Sequence, residues 1–165
     1  MHLDPELPVP PPGPRMDFWS PVNKEPEPYV VLSNRIWKHH VHWIGYTAEC
    51  TLRLDDAGLV LQDCEICSPE TPRRPRGYLN VVHTHTAVPG FLVIPHGTLY
   101  ALESSYGVDF IYRGLTIRVY RVGGHKNKPL VVTLDQYIPR KAEILPERDP
   151  SPYLDTVFRR RKKKA

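Results

Sequence analysis

Nineteen prolines, most of them gathered before Tyr29 and after Leu145, decide how much of this chain can fold. Proline has no amide hydrogen for a helix or a sheet ladder, so segments dense in it cannot join a regular core. The sequence divides accordingly into a Pro-rich flexible arm over 1–28, an all-β domain over 29–145, and a Pro-containing basic tail over 146–165. With 165 residues, 41% of them hydrophobic, the chain has material for a single core.

Between the tails the texture is one of short apolar runs separated by turn residues. The runs are Tyr29–Leu32, Ile36–Ile44, Ala48–Leu54, Leu59–Ile66, Tyr78–Val88, Phe91–Ile94, Leu99–Glu103, Leu115–Val122, Leu130–Leu134 and Ala142–Leu145. In the strongest of them Leu115, Ile117 and Val119 alternate with Thr116, Arg118 and Tyr120, the period of two that marks a strand with one buried face. Apolar residues spaced by three and four are missing over any dozen residues, so a helical domain is not expected. Many short strands at such intervals predict an all-β fold, a barrel or a jelly roll. Asp55-Asp56-Ala57-Gly58 and Gly123-Gly124-His125-Lys126-Asn127 predict hairpin turns, and Gly107 and Gly114 bracket a turn ahead of the Leu115 strand.

No apolar run is long enough for a membrane span, and Met1-His2-Leu3-Asp4-Pro5 lacks the pattern of a signal peptide, so an intracellular protein is expected. Three cysteines, an odd number, then predict reduced thiols over a disulfide framework. Much of the net charge of +4 comes from Arg159, Arg160, Arg161, Lys162, Lys163 and Lys164. Six like charges in a row stay solvated, which suits a nuclear-import receptor or a polyanion such as nucleic acid. In the arm, Pro11 and Pro14 with Arg15 suit an SH3-type groove, while Phe18 and Trp19 are aromatic anchors for this domain's own surface or for a partner's pocket. Ser68-Pro69 and Thr71-Pro72 in the loop Cys67–Gly77 suit proline-directed kinases.

Cys64 and Cys67, with His83 and His85, supply two thiolates and two imidazoles, the ligand set of a structural zinc site. If Cys64 and Cys67 shared one strand, however, they would face opposite ways, and the alternative is a pair of buried cysteines beside a half-exposed histidine face. His39, His40 and His42 show no obvious cysteine or carboxylate partner in the sequence.

Two resemblances to known families bear on function. Gly90–Tyr100 resembles the second motif of cupins, but Tyr100 stands where that family has a metal-binding histidine, which leaves a jelly-roll fold without the metal enzyme. Ala48-Glu49-Cys50-Thr51-Leu52, His83–Pro89, Pro95-His96-Gly97-Thr98, Gly107–Gly114 and Asn127–Leu134, taken in order, resemble the motifs of trimeric dUTPases. That resemblance implies a compact dUTPase-like β barrel and a homotrimer, with Asp109, Tyr112 and Arg113 as remnants of the nucleotide pocket. Thr51, His96 and Gly97 replace the metal-handling and phosphate-loop residues, and the glycine-rich closing arm is missing. Phosphoryl chemistry needs positioned Mg²⁺ and cationic donors, so the resemblance implies a catalytically inactive relative of the kind some DNA viruses keep. Such a protein would act as a nuclear adaptor through its surface and linear tail motifs. A nucleic-acid-binding capsid or matrix-type protein using the basic tail is the alternative, and a Mg²⁺-dependent dUTP nucleotidohydrolase the third.

Overall fold

The computed structural model describes residues 17–137 and 146–154. Its elements are β1 (Phe18–Trp19), β2 (Glu27–Val31), β3 (Trp37–Trp43), β4 (Thr47–Glu49), β5 (Arg53–Leu54), β6 (Val60–Gln62), β7 (Arg74–His83), β8 (Pro89–Ile94), α1 (His96–Tyr106), β9 (Leu115–Arg121) and β10 (Leu130–Tyr137). Strands dominate, as the run lengths predict, and eight of them form one mixed sheet in the order β1-β8-β7-β2-β9-β10, with β3 joined to β7 and β4 joined to β3. β5 and β6 form a separate two-stranded ribbon. No described helix is long and apolar enough to cross a membrane.

β7 is the spine of this sheet. Along one edge it pairs with β8 from Gly77 to Val82. Along the other, Arg74 to Tyr78 pair with β3 and Val81 to His83 pair with β2, so two strands share a single edge. Alternation then sorts the side chains. Leu79 and Val81 of β7 and Leu92 and Ile94 of β8 enter the larger core with Ile117, Val119, Leu99 and Leu102, while Tyr78 and Val93 face a smaller cluster with Leu154. The period of two in β9 is thereby realised, with Ile117 and Val119 fully buried.

One predicted strand is a helix. Leu99–Glu103 lies inside α1, whose buried side chains are Leu99 and Leu102, three residues apart. A five-residue apolar run carries too little periodicity to separate the two states, and Ala101, Leu102 and Glu103 are good helix formers. Pro95 stands at the N-cap, and Gly107 at φ 94° ends the helix by donating its N–H to the Glu103 carbonyl at 2.9 Å. The long run Tyr78–Val88 also breaks. β7 ends at His83 and a turn follows, with Ala87 at φ 58°. The expected strand Ala142–Leu145 lies outside the described residues.

Both ends of the described chain are held on the sheet. β1 runs parallel to β8, with Phe18 opposite Phe91 and Trp19 opposite Leu92. Trp19 packs over Gly90, where a Cβ would come within 2.7 Å of its ring. The buried Arg121 guanidinium donates to the carbonyls of Pro21 (2.9 Å), Lys126 and Lys128 (3.2 Å each), which ties the segment after β1 to the β9–β10 connection. On the far face Asn80 receives the Arg148 N–H at 2.8 Å and seats the 146–154 segment. Gly90→Ala is expected to lower stability by about 1–3 kcal/mol, because the new methyl must displace the indole. Urea unfolding measures this, and wild-type stability in that variant would show that Trp19 does not sit on Gly90.

Candidate metal centre

β3 is a strand with two different faces. Trp37 and Val41 pack on the smaller cluster, and His39 between them bonds the Tyr78 hydroxyl at 2.8 Å. His40 and His42 therefore point the other way. His42 is 1% exposed, and its Nδ1 lies 2.9 Å from the Thr71 carbonyl. A carbonyl only accepts, so this contact places the proton on Nδ1 and turns the Nε2 lone pair inward. Nε2 then lies 3.5 Å from Cys64 Sγ and 3.4 Å from Cys67 Sγ.

The third thiol comes from the other arm of the β3–β4 hairpin. Gly45 at φ 86° supports the turn, Val41 pairs with Glu49, and the Cys50 N–H donates to the His40 carbonyl at 3.0 Å. Cys50 Sγ is thus brought to 3.6 Å from Cys67 Sγ. Donor atoms of His42, Cys50, Cys64 and Cys67 all lie within 4.8 Å of one another, the one such cluster among the described residues, and together they could hold a metal ion such as zinc. Cys64 and Cys67 follow β6 in a loop, which removes the opposite-face objection that a shared strand would raise. The Thr71 hydroxyl donates to the Ile66 carbonyl and meets Ser68 Oγ at 2.7 Å, so the loop that carries two thiols also carries the carbonyl that fixes His42.

The electrostatics favour one thiolate and resist a second. Burial opposes ionisation of Cys64, but N–H groups of Thr51, Ile66 and Cys67 hydrogen-bond it and pull its pKa down to about 5. Cys67 is pushed up to about 12 by burial and by hydrogen bonds and repulsion from the Cys50 and Cys64 sulfurs. A cation among the three would remove that conflict, since metal ligation deprotonates thiols.

The histidines expected to complete the ligand set are elsewhere. His83 Nε2 lies 2.9 Å from Glu27 Oε2 and its ring meets Tyr29 edge-on, while His85 lies beyond the end of β7, its ring 5.5 Å from that of His83. The course of β7 is the reason, because its Arg74–Tyr78 half pairs with β3 beside the thiols while His83 pairs with Tyr29 of β2 at the opposite end. The candidate donors missed are His42 and Cys50. The odd third cysteine was the available signal, since a Cys-x-x-Cys pair with one further cysteine leaves one place for an imidazole.

The remnants of a nucleotide pocket are not gathered into one. Tyr112 is 2% exposed in the larger core, and its hydroxyl finds no hydrogen-bond partner among the described residues. Arg113 donates to the Leu32 carbonyl, and Asp109 is an exposed carboxylate 4.0 Å from Arg35. Gly107 and Gly114 do take positive φ, and the Gly114 N–H closes the turn on the Val31 carbonyl at 2.9 Å. A cleft of about 590 Å³ lies between residues 33–37 and the 146–150 segment, away from the thiols. Phe18 and Trp19 anchor this chain's own sheet, Phe18 stacking on Phe91 with centroids 5.1 Å apart. Arg159 to Lys164 and the PxxP segment lie outside the described residues.

Compared with protein-family models, curated proteins and solved structures, the chain matches none. The likeness to dUTPases therefore rests on the motif text alone.

One pH dependence follows from β3. The His39 pKa is lowered from 6.5 to about 4, first by burial and then by the Arg76 and His40 charges, with the Tyr78 hydroxyl as its near partner. A folded-state value below the unfolded one means stability is present above pH 6.5 and drains away as pH falls toward 4. His39→Gln is expected to flatten this slope relative to wild type in urea titrations at pH 7, 6 and 5. Parallel slopes would show that His39 takes up its proton as readily in the folded as in the unfolded chain.

Proposed function

We propose that the protein is a zinc-stabilised β-sheet module that works by binding other proteins and not by hydrolysis. The observation that carries the metal is the convergence of His42, Cys50, Cys64 and Cys67 with an outer support already in place. Zn–S bonds of about 2.3 Å and Zn–N bonds of about 2.0–2.1 Å give tetrahedral edges of roughly 3.6–3.8 Å. The N–S separations of 3.4 and 3.5 Å and the S–S separation of 3.6 Å match those edges closely. Three thiolates and an imidazole form a closed structural set, because zinc so held has no position for substrate water. The Thr71 carbonyl on His42 Nδ1 is the outer contact that zinc-bound histidines use for orientation.

The binding role is supported by what the other candidate groups do. Tyr112 and Arg113 serve the core and the β2 terminus, and Asp109 is an exposed carboxylate beside Arg35, so a dUTPase-like ancestor would leave scaffold here in place of a pocket. The basic run Arg159–Lys164 then acts as an address for nuclear import or as a polyanion contact.

Purified protein is expected to carry about one zinc per chain, read by inductively coupled plasma mass spectrometry. His42→Ala and Cys67→Ser should lose it, and His83→Ala and His85→Ala should keep it. Metal-free wild-type protein, or zinc lost equally from the His83 variant, would defeat the assignment. A pyrophosphate-release assay with dUTP and Mg²⁺ is expected to stay at background, and turnover on the order of 1 s⁻¹ or more would restore the enzymatic alternative.

A further inference from the structure

Between the ligands Cys50 and Cys64 the chain leaves the sheet as the ribbon of β5 and β6. The turn is well made, with Asp55 Oδ1 accepting from the Ala57 and Leu59 N–H groups at 2.9 and 2.8 Å and Gly58 at φ 85°. Its large apolar side chains are exposed. Leu54 pairs across from Val60 with a bulge beside this pair, Leu59 and Leu61 flank Val60, and Leu54, Val60, Leu59 and Leu61 are 47%, 59%, 66% and 67% exposed respectively. No other described segment this short exposes as many large apolar residues. Among the described residues each strand pairs only with the other, which leaves both outer edges without a described ladder partner.

A two-stranded ribbon is marginal alone, and a clustered exposed apolar surface of this kind marks an interaction site. Charge selects the occupant. Asp55, Asp56 and Asp63 stand against Arg53 between the two cysteines, and Glu49 and Glu65 flank them, in a chain whose net charge is +4. Two copies of the ribbon would bring acidic turns together. We propose that the β5–β6 ribbon is a docking edge for an extended segment of another protein in which apolar and basic residues alternate. The segment adds as a further strand, its apolar side chains packing on the exposed leucines and valine of the ribbon and its cations lying near the exposed Asp56 and Asp63. This docking rests on the metal-organised module proposed above, because Cys50, Cys64 and Cys67 fix the root of the ribbon.

The test is fluorescence anisotropy with full-length protein and two labelled octapeptides, (Val-Lys)₄ and (Val-Glu)₄, with zinc content measured on the same samples. The lysine peptide is expected to bind, more weakly in high salt, and the glutamate peptide is not. Leu59→Ser/Leu61→Ser, which changes only exposed side chains, should weaken binding at least about tenfold while zinc and thermal midpoint stay as in wild type. Asp56→Lys should weaken it with a reduced salt dependence. Equal binding of both peptides, or binding untouched by the leucine substitutions, would overturn the proposal. So would a dimer that the leucine substitutions dissociate, or binding that appears only once residues 155–165 are removed, since the occupant would then be a second copy or the chain's own basic end. A sample without zinc defeats the metal reading whatever the peptide does, and a zinc-loaded sample indifferent to the peptide defeats the docking alone.

Discussion

The ladder between β7 and β3 is the interaction on which the rest of the architecture hangs. β7 is long enough to divide one edge between β3 and β2, and its residues from Gly77 to Val82 are buried with side chains on both faces. Because β3 takes only the first half of that edge, it runs out past the sheet's main body and carries His42 with it. Among the described residues no hydrophobic cluster extends past Val41 to that far end. Val41 is the last of its side chains in a hydrophobic cluster, and Trp43 is 70% exposed.

A cluster that could hold a metal lies where the structure has a problem of size. β4, β5 and β6 have three, two and three residues, too few to bury a core between them, and the loop from Cys64 to Arg73 has no sheet partner for most of its length. Small structures of this kind need a staple. The cluster draws its donors from the end of β3, the end of β4 and the loop after β6, which are the pieces that packing does not secure. On the opposite end of the molecule, where the sheet is wide, ordinary means suffice. Arg121 is satisfied by three carbonyls and Trp19 by the hollow over Gly90.

How much of this could be read from the sequence depends on how local each signal is. The Leu115 strand, the Asp55–Gly58 turn and the glycine-led turn after Arg121 are each set by a few adjacent residues, and all three are as expected. α1 was illegible as a helix because Leu99 and Leu102 are its only buried apolar residues, so it lacks a recurring stripe. The metal centre was half legible. Cys64-x-x-Cys67 is a contiguous motif, whereas His42 and Cys50 meet it only through the hairpin register and the β3–β7 pairing, which no spacing rule encodes. Phe18 and Trp19 read as anchors for this domain or for a partner, and their seat on β8 of their own chain depends on a parallel pairing more than seventy residues away.

That contrast in sequence separation also orders the assembly of the protein as it leaves the ribosome. His42, Cys50, Cys64 and Cys67, and the Arg74–Tyr78 half of β7 that aligns β3, all precede β8, so the thiol and imidazole donors can be gathered before the rest of the sheet is made. β2 must instead wait for β9, with Glu27 meeting Val119, and β1 must wait for β8. Short loops close at lower entropic cost and faster than long ones. The end of the molecule with the least hydrophobic material is therefore the one that can acquire its shape first, and the better-packed end completes later around it.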